Sequence, residues 1–262
     1  MDYIIFCTIC LHLPRRFLRN FLTGIIRFSI VRPVIKGQKG SGGWIGIDES
    51  GKGDYFGPLV VAGVYLEPGQ VPDLRLLGIK DSKQLSDLRV KEIAVELLTR
   101  VISSVLVIGP KRYNELYEKI KNLNRILAWA HARALENILQ RVDCTRALSD
   151  QFGDERFILN ALMEKGKTIK LEQRPKAESD PAVAAASILA RAEFLNRLER
   201  LSQEVGITLP KGASRLVEDT ARTLIKHGGQ QLLQSVAKWH FRTTQAALSS
   251  TLGVLGRGRD RR

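Results

Sequence analysis

Two adjacent acids, Asp48 and Glu49, stand at the end of an apolar run that begins at Trp44. A carboxylate in apolar surroundings is unfavourable unless a cation offsets its charge. Carboxylate oxygens suit Mg²⁺ or Mn²⁺, which keep several water ligands and recruit phosphate oxygens. The pair therefore indicates metal-assisted phosphoryl chemistry, while its spacing alone equally fits two solvated loop acids.

Neighbouring side chains of a regular strand point to opposite faces, so both acids reach one site only if the chain turns at Glu49. We expect the following segment, Ser50 to Gly53, to supply that turn. Gly51 and Gly53 would let backbone N–H groups approach a phosphate or a sugar, and Lys52 would add a positive charge. An ordinary glycine-rich turn explains the same residues.

A nucleotide-binding loop is a competing interpretation, because Gly46 to Lys52 fits the first seven positions of the pattern G-x-x-x-x-G-K-[ST]. The eighth position disagrees, since Gly53 stands where a hydroxyl side chain should bind Mg²⁺. The two acids inside the loop would also repel nucleotide phosphates. Both observations disfavour a nucleotide hydrolase.

The elements that must position these residues alternate between strands and helices. Apolar runs predict strands over 44–48 and 59–66, separated by a glycine-rich connection. The further predicted elements are a helix from Ser86-Asp87, a strand over 101–108, a helix over 123–141, a strand near 147–149, a helix over 155–163, a strand over 167–172, and helices over 181–205 and 214–227. This order predicts an α/β domain around a mixed sheet.

The charge balance indicates a polyanionic partner. The 262 residues carry a formal net charge of +14, of which +6 lies in residues 1–43 and +3 in residues 253–262. Three cysteines in a chain of this length do not form a disulfide framework, which favours a reducing, cytoplasmic location. Cys7 and Cys10 have metal-ligand spacing, but no second Cys or His pair follows at finger spacing.

The apolar stretch Tyr3 to Leu13 is too short for a membrane span, which needs about 20 residues, so we expect no membrane association. Glycine and serine dominate Gly37 to Gly43, which predicts a flexible linker. The predicted organisation is a basic N-terminal extension with this linker over 1–43, a catalytic domain over 44–245 and a basic C-terminal tail over 246–262.

The segment from Gly46 to Pro58 resembles the signature of the ribonuclease HII and HIII family. It is closest to ribonuclease HIII, because Gly51-Lys52-Gly53 replaces the Gly-Arg-Gly of ribonuclease HII. Five further stretches resemble the family in the expected order: Asp81-Ser82-Lys83-Gln84-Leu85, Ser149-Asp150-Gln151-Phe152, the run from Ala184 to Arg191, the run from Leu209 to Ser214, and Trp239-His240-Phe241.

The resemblance implies a ribonuclease H-like fold, in which a mixed β-sheet flanked by helices, with a helical C-terminal part, presents four carboxylates to two divalent ions, Mg²⁺ or Mn²⁺. It assigns Asp48, Glu49 and Asp150 as metal ligands and catalytic acids, and Glu178 as the fourth catalytic acid. Asp180 competes for the fourth position. The acid that is not used there is expected at the start of the following helix, where Asp is favoured.

The implied activity is endonucleolytic hydrolysis of the RNA strand of an RNA–DNA hybrid, which leaves 5′-phosphate and 3′-hydroxyl ends, by a chain expected to act as a monomer. The resemblance also assigns the Gly51-Lys52-Gly53 loop to the ribose 2′-hydroxyl, the group that distinguishes RNA from DNA. Lys83 and Lys211 are candidate substrate contacts. His131 and His227 are predicted to have surface or capping roles.

Two alternatives stay open at this stage. One is cleavage at single ribonucleotides in duplex DNA, as ribonuclease HII performs, and the other is a non-catalytic module that binds hybrids. Ribonuclease HIII usually carries an N-terminal substrate-binding domain, for which residues 1–43 are too few. We expect the basic tails to substitute in part for that domain.

Overall fold

The computed structural model describes residues 42–79 and 85–256, and in this range five strands form one sheet. The strands are β1 (Trp44–Ser50), β2 (Leu59–Leu66), β3 (Ile102–Ile108), β4 (Arg146–Asp150) and β5 (Lys170–Arg174). Their order across the sheet is β3-β2-β1-β4-β5. Strand β1 pairs antiparallel with β2 and parallel with β4, so the predicted mixed sheet is confirmed.

Eight helices accompany the sheet within the described residues. They are α1 (Val71–Leu76), α2 (Asp87–Arg100), α3 (Pro110–Ile120), α4 (Leu123–Leu139), α5 (Glu155–Ala161), α6 (Pro181–Val205), α7 (Arg215–Val236) and α8 (Arg242–Gly256). None of these helices is long and apolar enough to cross a membrane.

Strand β2 is buried along its whole length, because helices cover both faces of the sheet. Val60 and Val64 belong to a core cluster with α2, α6 and α7, whereas Leu59 and Val61 belong to a second cluster with α4. The alternation of side chains along a strand produces this division. The sheet therefore lies between two helical layers, as predicted for the α/β domain.

Helix α6 approaches β1 closely enough to require a glycine. A methyl group on Gly46 would lie 2.2 Å from the carbonyl carbon of Ala182 and from the backbone nitrogen of Val183. The first two turns of α6 are made mainly of alanine, which allows this approach. Asp48 lies two residues after Gly46 and therefore faces the same helix.

Several predicted boundaries differ from the observed ones. Strand β1 continues through Ser50, because residues 49 and 50 still pair with β2. Strand β5 begins at Lys170, since a 3₁₀ turn occupies Gly166–Thr168. Helix α3 had no predicted counterpart, although Pro110 at its first position and the buried pair Tyr113 and Leu116 are helical signals.

The C-terminal part is more extensively folded than predicted. The backbone of α7 leaves helical geometry at Gly228 and Gly229, where the predicted helix ended, and then resumes as far as Val236. Helix α8 spans the predicted domain boundary at residue 245, and Ala247 is buried in the core. The folded part therefore extends beyond the predicted catalytic domain.

Candidate active site

Asp48 occupies a partly buried position on β1, on the face covered by α6. Its carboxylate accepts hydrogen bonds from the Ser187 hydroxyl on α6 and from the backbone N–H of Glu49, the latter at 2.8 Å. Burial raises the pKa of Asp48 from 3.8 to about 7, and the negative charges of Glu49 and Asp150 contribute to the increase. A nearby cation favours the ionised form of such a carboxylate, so Asp48 is suited to binding a cation.

Asp150 ends β4, the parallel neighbour of β1. The pairing of Ile47 with Ser149 places Asp150 level with Asp48 and on the same face of the sheet. Its Oδ1 accepts a hydrogen bond of 3.0 Å from the backbone N–H of Ala177. Two acids that are distant in the sequence are thus brought together by strand pairing.

Glu178 follows Ala177 in a 3₁₀ turn (Ala177–Ser179) and is partly buried. This turn is therefore attached to Asp150 through the residue immediately before Glu178. The connection places the predicted fourth acid in the chain segment that borders the Asp48 and Asp150 pair.

The competing acid Asp180 has a different role. Its Oδ1 accepts hydrogen bonds from the backbone N–H groups of Ala182 at 2.9 Å and Val183 at 3.2 Å, so it caps α6. The indole N–H of Trp44 donates to the same carboxylate at 3.0 Å. Trp44 precedes Asp48 by four residues on β1, or about 13 Å along a strand. Asp180 is therefore committed to the start of the helix.

Glu49 points to the opposite face of the sheet from Asp48. The expected turn at this residue is wrong, because Glu49 remains paired with Val61 and the backbone turns only at Gly51, where φ is +86°. Glu49 Oε2 lies 3.1 Å from the Nε2 of His131, and its Oε1 lies 3.5 Å from the Nζ of Lys52. Burial opposes the ionisation of Glu49, but the His131 bond and the Lys52 charge outweigh it and lower the pKa of Glu49.

His131 is a functional candidate that the sequence analysis assigned to a surface role, and that assignment is wrong. The side chain lies on α4 and is completely buried. Because the Glu49 carboxylate only accepts hydrogen bonds, His131 Nε2 carries the proton between them. Nδ1 lies 3.1 Å from the Oγ of Ser149, and the ring packs against Phe152 with centroids 4.6 Å apart. The ring connects Glu49 to the residue before Asp150.

A signal for His131 was present in the sequence. Leu127 and Leu135 lie four residues before and after it, so all three residues share one face of α4. A polar ring on the apolar face of a helix requires a buried partner. The sequence alone did not identify that partner, because the partners lie on strands that only the fold brings next to α4.

The glycine loop between β1 and β2 is held by the C-terminal part of the chain. Lys238 is completely buried, and its Nζ donates hydrogen bonds to the carbonyl oxygens of Asp54 at 2.7 Å and Gly57 at 2.8 Å. Burial lowers the pKa of Lys238 to about 7. A methyl group on Gly51 would lie 2.2 Å from the Pro58 carbonyl oxygen, so this position requires glycine.

Gly53 differs from Gly51, because a methyl group there would have no neighbour within 4 Å. Packing does not require glycine at this position, which faces open space. Lys52 beside it contacts Glu49 in this structure. Lys83, the other predicted substrate contact, lies outside the described residues.

The donor set fits a hard divalent cation. Among the described side chains, no three His, Cys, Asp or Glu residues form a ready-made cage for a metal ion. Mg²⁺ and Mn²⁺ do not need one, because such ions commonly use one or two carboxylates and complete their shell with water and phosphate oxygens. The paired oxygens of Asp48 and Asp150, with the raised pKa of Asp48, meet that requirement.

A mixed sheet with carboxylates at the ends of two adjacent central strands defines this chain as a metal-dependent nuclease with a ribonuclease H-like fold. The crystal structure of Bst ribonuclease HIII in complex with Mn²⁺ superposes with a TM-score of 0.75 at 36% identity, covering 81% of this chain and 71% of that chain. The model of the ribonuclease HII family matches residues 45–244. The chain belongs to this family.

Relatives named ribonuclease HIII support the same assignment. That of Protochlamydia amoebophila is 46% identical over 204 residues, which cover 78% of this chain and 68% of the relative. That of Chlamydia pneumoniae is 41% identical over 202 residues, which cover 76% of this chain and 68% of the relative. Each similarity covers more than three quarters of this chain.

The raised pKa of Asp48 predicts a pH-dependent stability. The folded chain binds the Asp48 proton more tightly than the unfolded chain, so the metal-free protein loses stability as the pH rises from about 4 to about 7. Asp48→Asn removes this loss, and at pH 8 it should stabilise the metal-free protein by about 2 to 4 kcal/mol, since one pKa unit corresponds to about 1.4 kcal/mol.

Urea unfolding in a chelator measures this difference. At pH 4 the variant and the parent should have similar stability, and the exposed control Asp73→Asn should change stability by less than about 0.5 kcal/mol at either pH. An Asp48→Asn protein that is no more stable than the parent at pH 8 would contradict the burial argument.

The His131 contacts predict that two amide substitutions differ. Glutamine places its N–H₂ near the His131 Nε2 position and can still donate to Glu49, whereas asparagine reaches only as far as Nδ1. We expect His131→Asn to weaken Mn²⁺ binding by about 10- to 100-fold, as is typical when a group that orients a metal ligand is removed, and His131→Gln to retain most of the affinity. Calorimetric titration with Mn²⁺ measures both, and equal losses would show that the ring is only a packing element.

Proposed function

We propose that the chain is an endoribonuclease of the ribonuclease HIII type that cuts the RNA strand of RNA–DNA hybrids with two divalent ions. The observation that carries the proposal is the alignment of Asp48 and Asp150 on adjacent parallel strands, where the negative charge of Asp150 contributes to the raised pKa of Asp48. Glu49 and Glu178 complete the proposed set of four acids. The solved relative with Mn²⁺ supports this metal class, and we extend the proposal to Mg²⁺.

Each residue contributes through its surroundings. Asp48 and Asp150 offer partly buried oxygens on the face of α6, while His131 holds Glu49 in its ionised form. Divalent ions at this site would lower the pKa of an attacking water and stabilise the leaving 3′ oxygen, which yields 5′-phosphate and 3′-hydroxyl ends. The protein side chains supply orientation and charge.

The loop supplies discrimination between RNA and DNA in this proposal. Gly51 sets the positive-φ turn, and the open space at Gly53 allows a ribose 2′-hydroxyl to approach the backbone. When substrate is present, Lys52 would exchange its contact with Glu49 for a phosphate. The loop would therefore select the strand that is cut.

The division of the chain follows the same proposal. The catalytic domain begins at residue 44, and the basic termini assist hybrid binding through charge. We propose that the enzyme acts as a monomer, because one chain supplies all four acids. The cysteine content favours a cytoplasmic location.

Cleavage of defined substrates tests the activity. The parent protein, with Mn²⁺ or Mg²⁺, should cut a continuous RNA strand paired with DNA at several positions and leave 5′-phosphate ends. Asp150→Asn should reduce the rate at least about a hundredfold, because a metal-binding carboxylate supports several kcal/mol of transition-state stabilisation. Gel analysis of end-labelled strands measures both.

Other outcomes of that assay identify the alternatives. Cleavage restricted to a duplex with a single ribonucleotide would assign the chain to the ribonuclease HII type. A correctly folded parent protein that binds the hybrid but leaves both strands intact in either metal would be a binding module and would overturn the proposal.

The two glycines of the loop should respond differently to alanine. Gly51→Ala introduces a methyl group at positive φ and against the Pro58 carbonyl, so we expect a loss of stability of about 2 kcal/mol or more. Gly53→Ala should leave the melting temperature unchanged but weaken hybrid binding, because its methyl group points where the ribose would lie. Thermal melting and fluorescence anisotropy distinguish the two effects, and unaltered binding by Gly53→Ala would remove the loop from the recognition site.

A further inference from the structure

Three charged side chains meet at the surface between α2, α6 and the loop that precedes α7. Asp87 begins α2, and its carboxylate accepts hydrogen bonds from Arg191 Nη2 at 2.8 Å and from Lys211 Nζ at 2.5 Å. Arg191 also donates to the carbonyl oxygen of Leu85 at 3.1 Å. We call Asp87, Arg191 and Lys211 the cationic triad, since its net charge is +1.

The triad lies between the acidic site and the glycine loop. Ser187, which contacts Asp48, precedes Arg191 by one turn on the same face of α6, so the two residues are about 6 Å apart along the helix axis. On the other side, the residue after Lys211 is Gly212, whose N–H donates to Asp54 Oδ1 at 2.6 Å. The triad therefore borders both parts of the site that would hold the substrate.

The ion pairs of the cationic triad contribute little to the stability of the fold. Asp87 and Lys211 have 39% and 49% of their side-chain surface exposed, and ion pairs at such positions contribute about 0 to 1 kcal/mol. An ammonium group has three N–H donors, and Asp87 takes up one of those of Lys211. Burial opposes the ionisation of Asp87, but the hydrogen bonds and charges of Lys211 and Arg191 together outweigh this effect and lower the pKa of Asp87. Asp87 thus holds both cations at a fixed position, where Lys211 is half exposed and Arg191 has 24% of its side-chain surface exposed.

We propose that Arg191 and Lys211 form a binding site for a backbone phosphate of the cleaved strand, next to the phosphate that is cut, and that Asp87 occupies the two cations as a competing anion until the phosphate displaces it. This inference rests on the proposed function. Arg191 and Ser187, which contacts Asp48, are about 6 Å apart along α6, a spacing similar to one or two nucleotide steps, since successive nucleotides of one strand rise by about 3.4 Å. The site would therefore fix the register of the strand at the carboxylates.

The sign of the Asp87→Asn effect separates this proposal from a purely structural role. If Asp87 only connects α2 to α6, its removal should lower the stability of the fold and should not strengthen hybrid binding. If the cations bind phosphate, removal of their competing anion should strengthen binding of an RNA–DNA hybrid by about threefold or more. Lys211→Gln should have the opposite effect and reduce the slope of log affinity against log salt by about one, the loss of one phosphate contact.

Both variants are compared in full-length protein that carries Asp150→Asn, so that the hybrid stays intact during anisotropy titrations. Glu96→Gln is the matched control, because Glu96 lies on the same helix, pairs with Arg100 at 3.1 Å and undergoes the same change of charge. It is nine residues from Asp87, or about 14 Å along α2. Equal tightening by Glu96→Gln and Asp87→Asn would overturn the proposal, as would an unchanged salt slope in Lys211→Gln.

Neutral methylphosphonate linkages locate the phosphate. One such linkage in the RNA strand, next to the cleavage position, should abolish the difference between Lys211→Gln and its parent. If only linkages in the DNA strand do so, the assignment to the cleaved strand is wrong. If Asp87→Asn lowers the melting temperature, the slope of log affinity against log salt for Lys211→Gln still tests the phosphate site. Cleavage by the parent protein is measured separately, so a failure of the proposed function is distinguishable from a failure of the phosphate site.

Discussion

The burial of the Asp48 carboxylate beside the negative charges of Glu49 and Asp150 is the constraint on which this structure depends. Two like charges on neighbouring strands, partly removed from water, oppose the fold that brings them together. The fold overcomes this repulsion through contacts elsewhere: α6 is pressed against Gly46, Ser187 donates to one acid and the Ala177 backbone donates to the other. These contacts lie in regular secondary structure. The arrangement is thus established by packing, and a bound cation relieves the repulsion without having to organise the chain.

The same constraint explains why adjacent acids have different properties. Asp48 faces α6 and is made harder to ionise by burial, whereas Glu49 faces α4 and is kept ionised by His131 and Lys52. The sequence suggested a turn because of its glycines, but pairing with β2 continues through Ser50 and keeps the two side chains on opposite faces. The hydrogen bonds between β1 and β2 outweigh the preference of the glycine-rich segment for a turn at Glu49. Neighbouring carboxylates with separated pKa values are typical of sites in which similar groups have different tasks.

Local signals identified the elements whose boundaries are chemically marked. The bounds of α6 were predicted as observed, because Asp180 and Pro181 begin the helix and Gly206 ends it in the left-handed region. The short edge strand β5 begins three residues later and ends two residues later than predicted, since it has little apolar pattern. The buried position and the contacts of His131 were not predicted, for a different reason. Its partners Glu49 and Ser149 are 82 and 18 residues away in the sequence, so only strand pairing and helix packing could identify them.

The hydrogen bonds of Lys238 make the geometry of the glycine loop depend on a segment that is synthesised late. The lysine and the Gly57 carbonyl that it binds are 181 residues apart, so the loop near the beginning of the domain is secured by one of its last segments. On the ribosome, the acids of β1 emerge long before this lysine. A nascent chain therefore carries the acids of β1 without the loop geometry that accompanies them in the finished protein. The geometry of the glycine loop is therefore completed only after the segment that carries Lys238 has been synthesised and has folded against it.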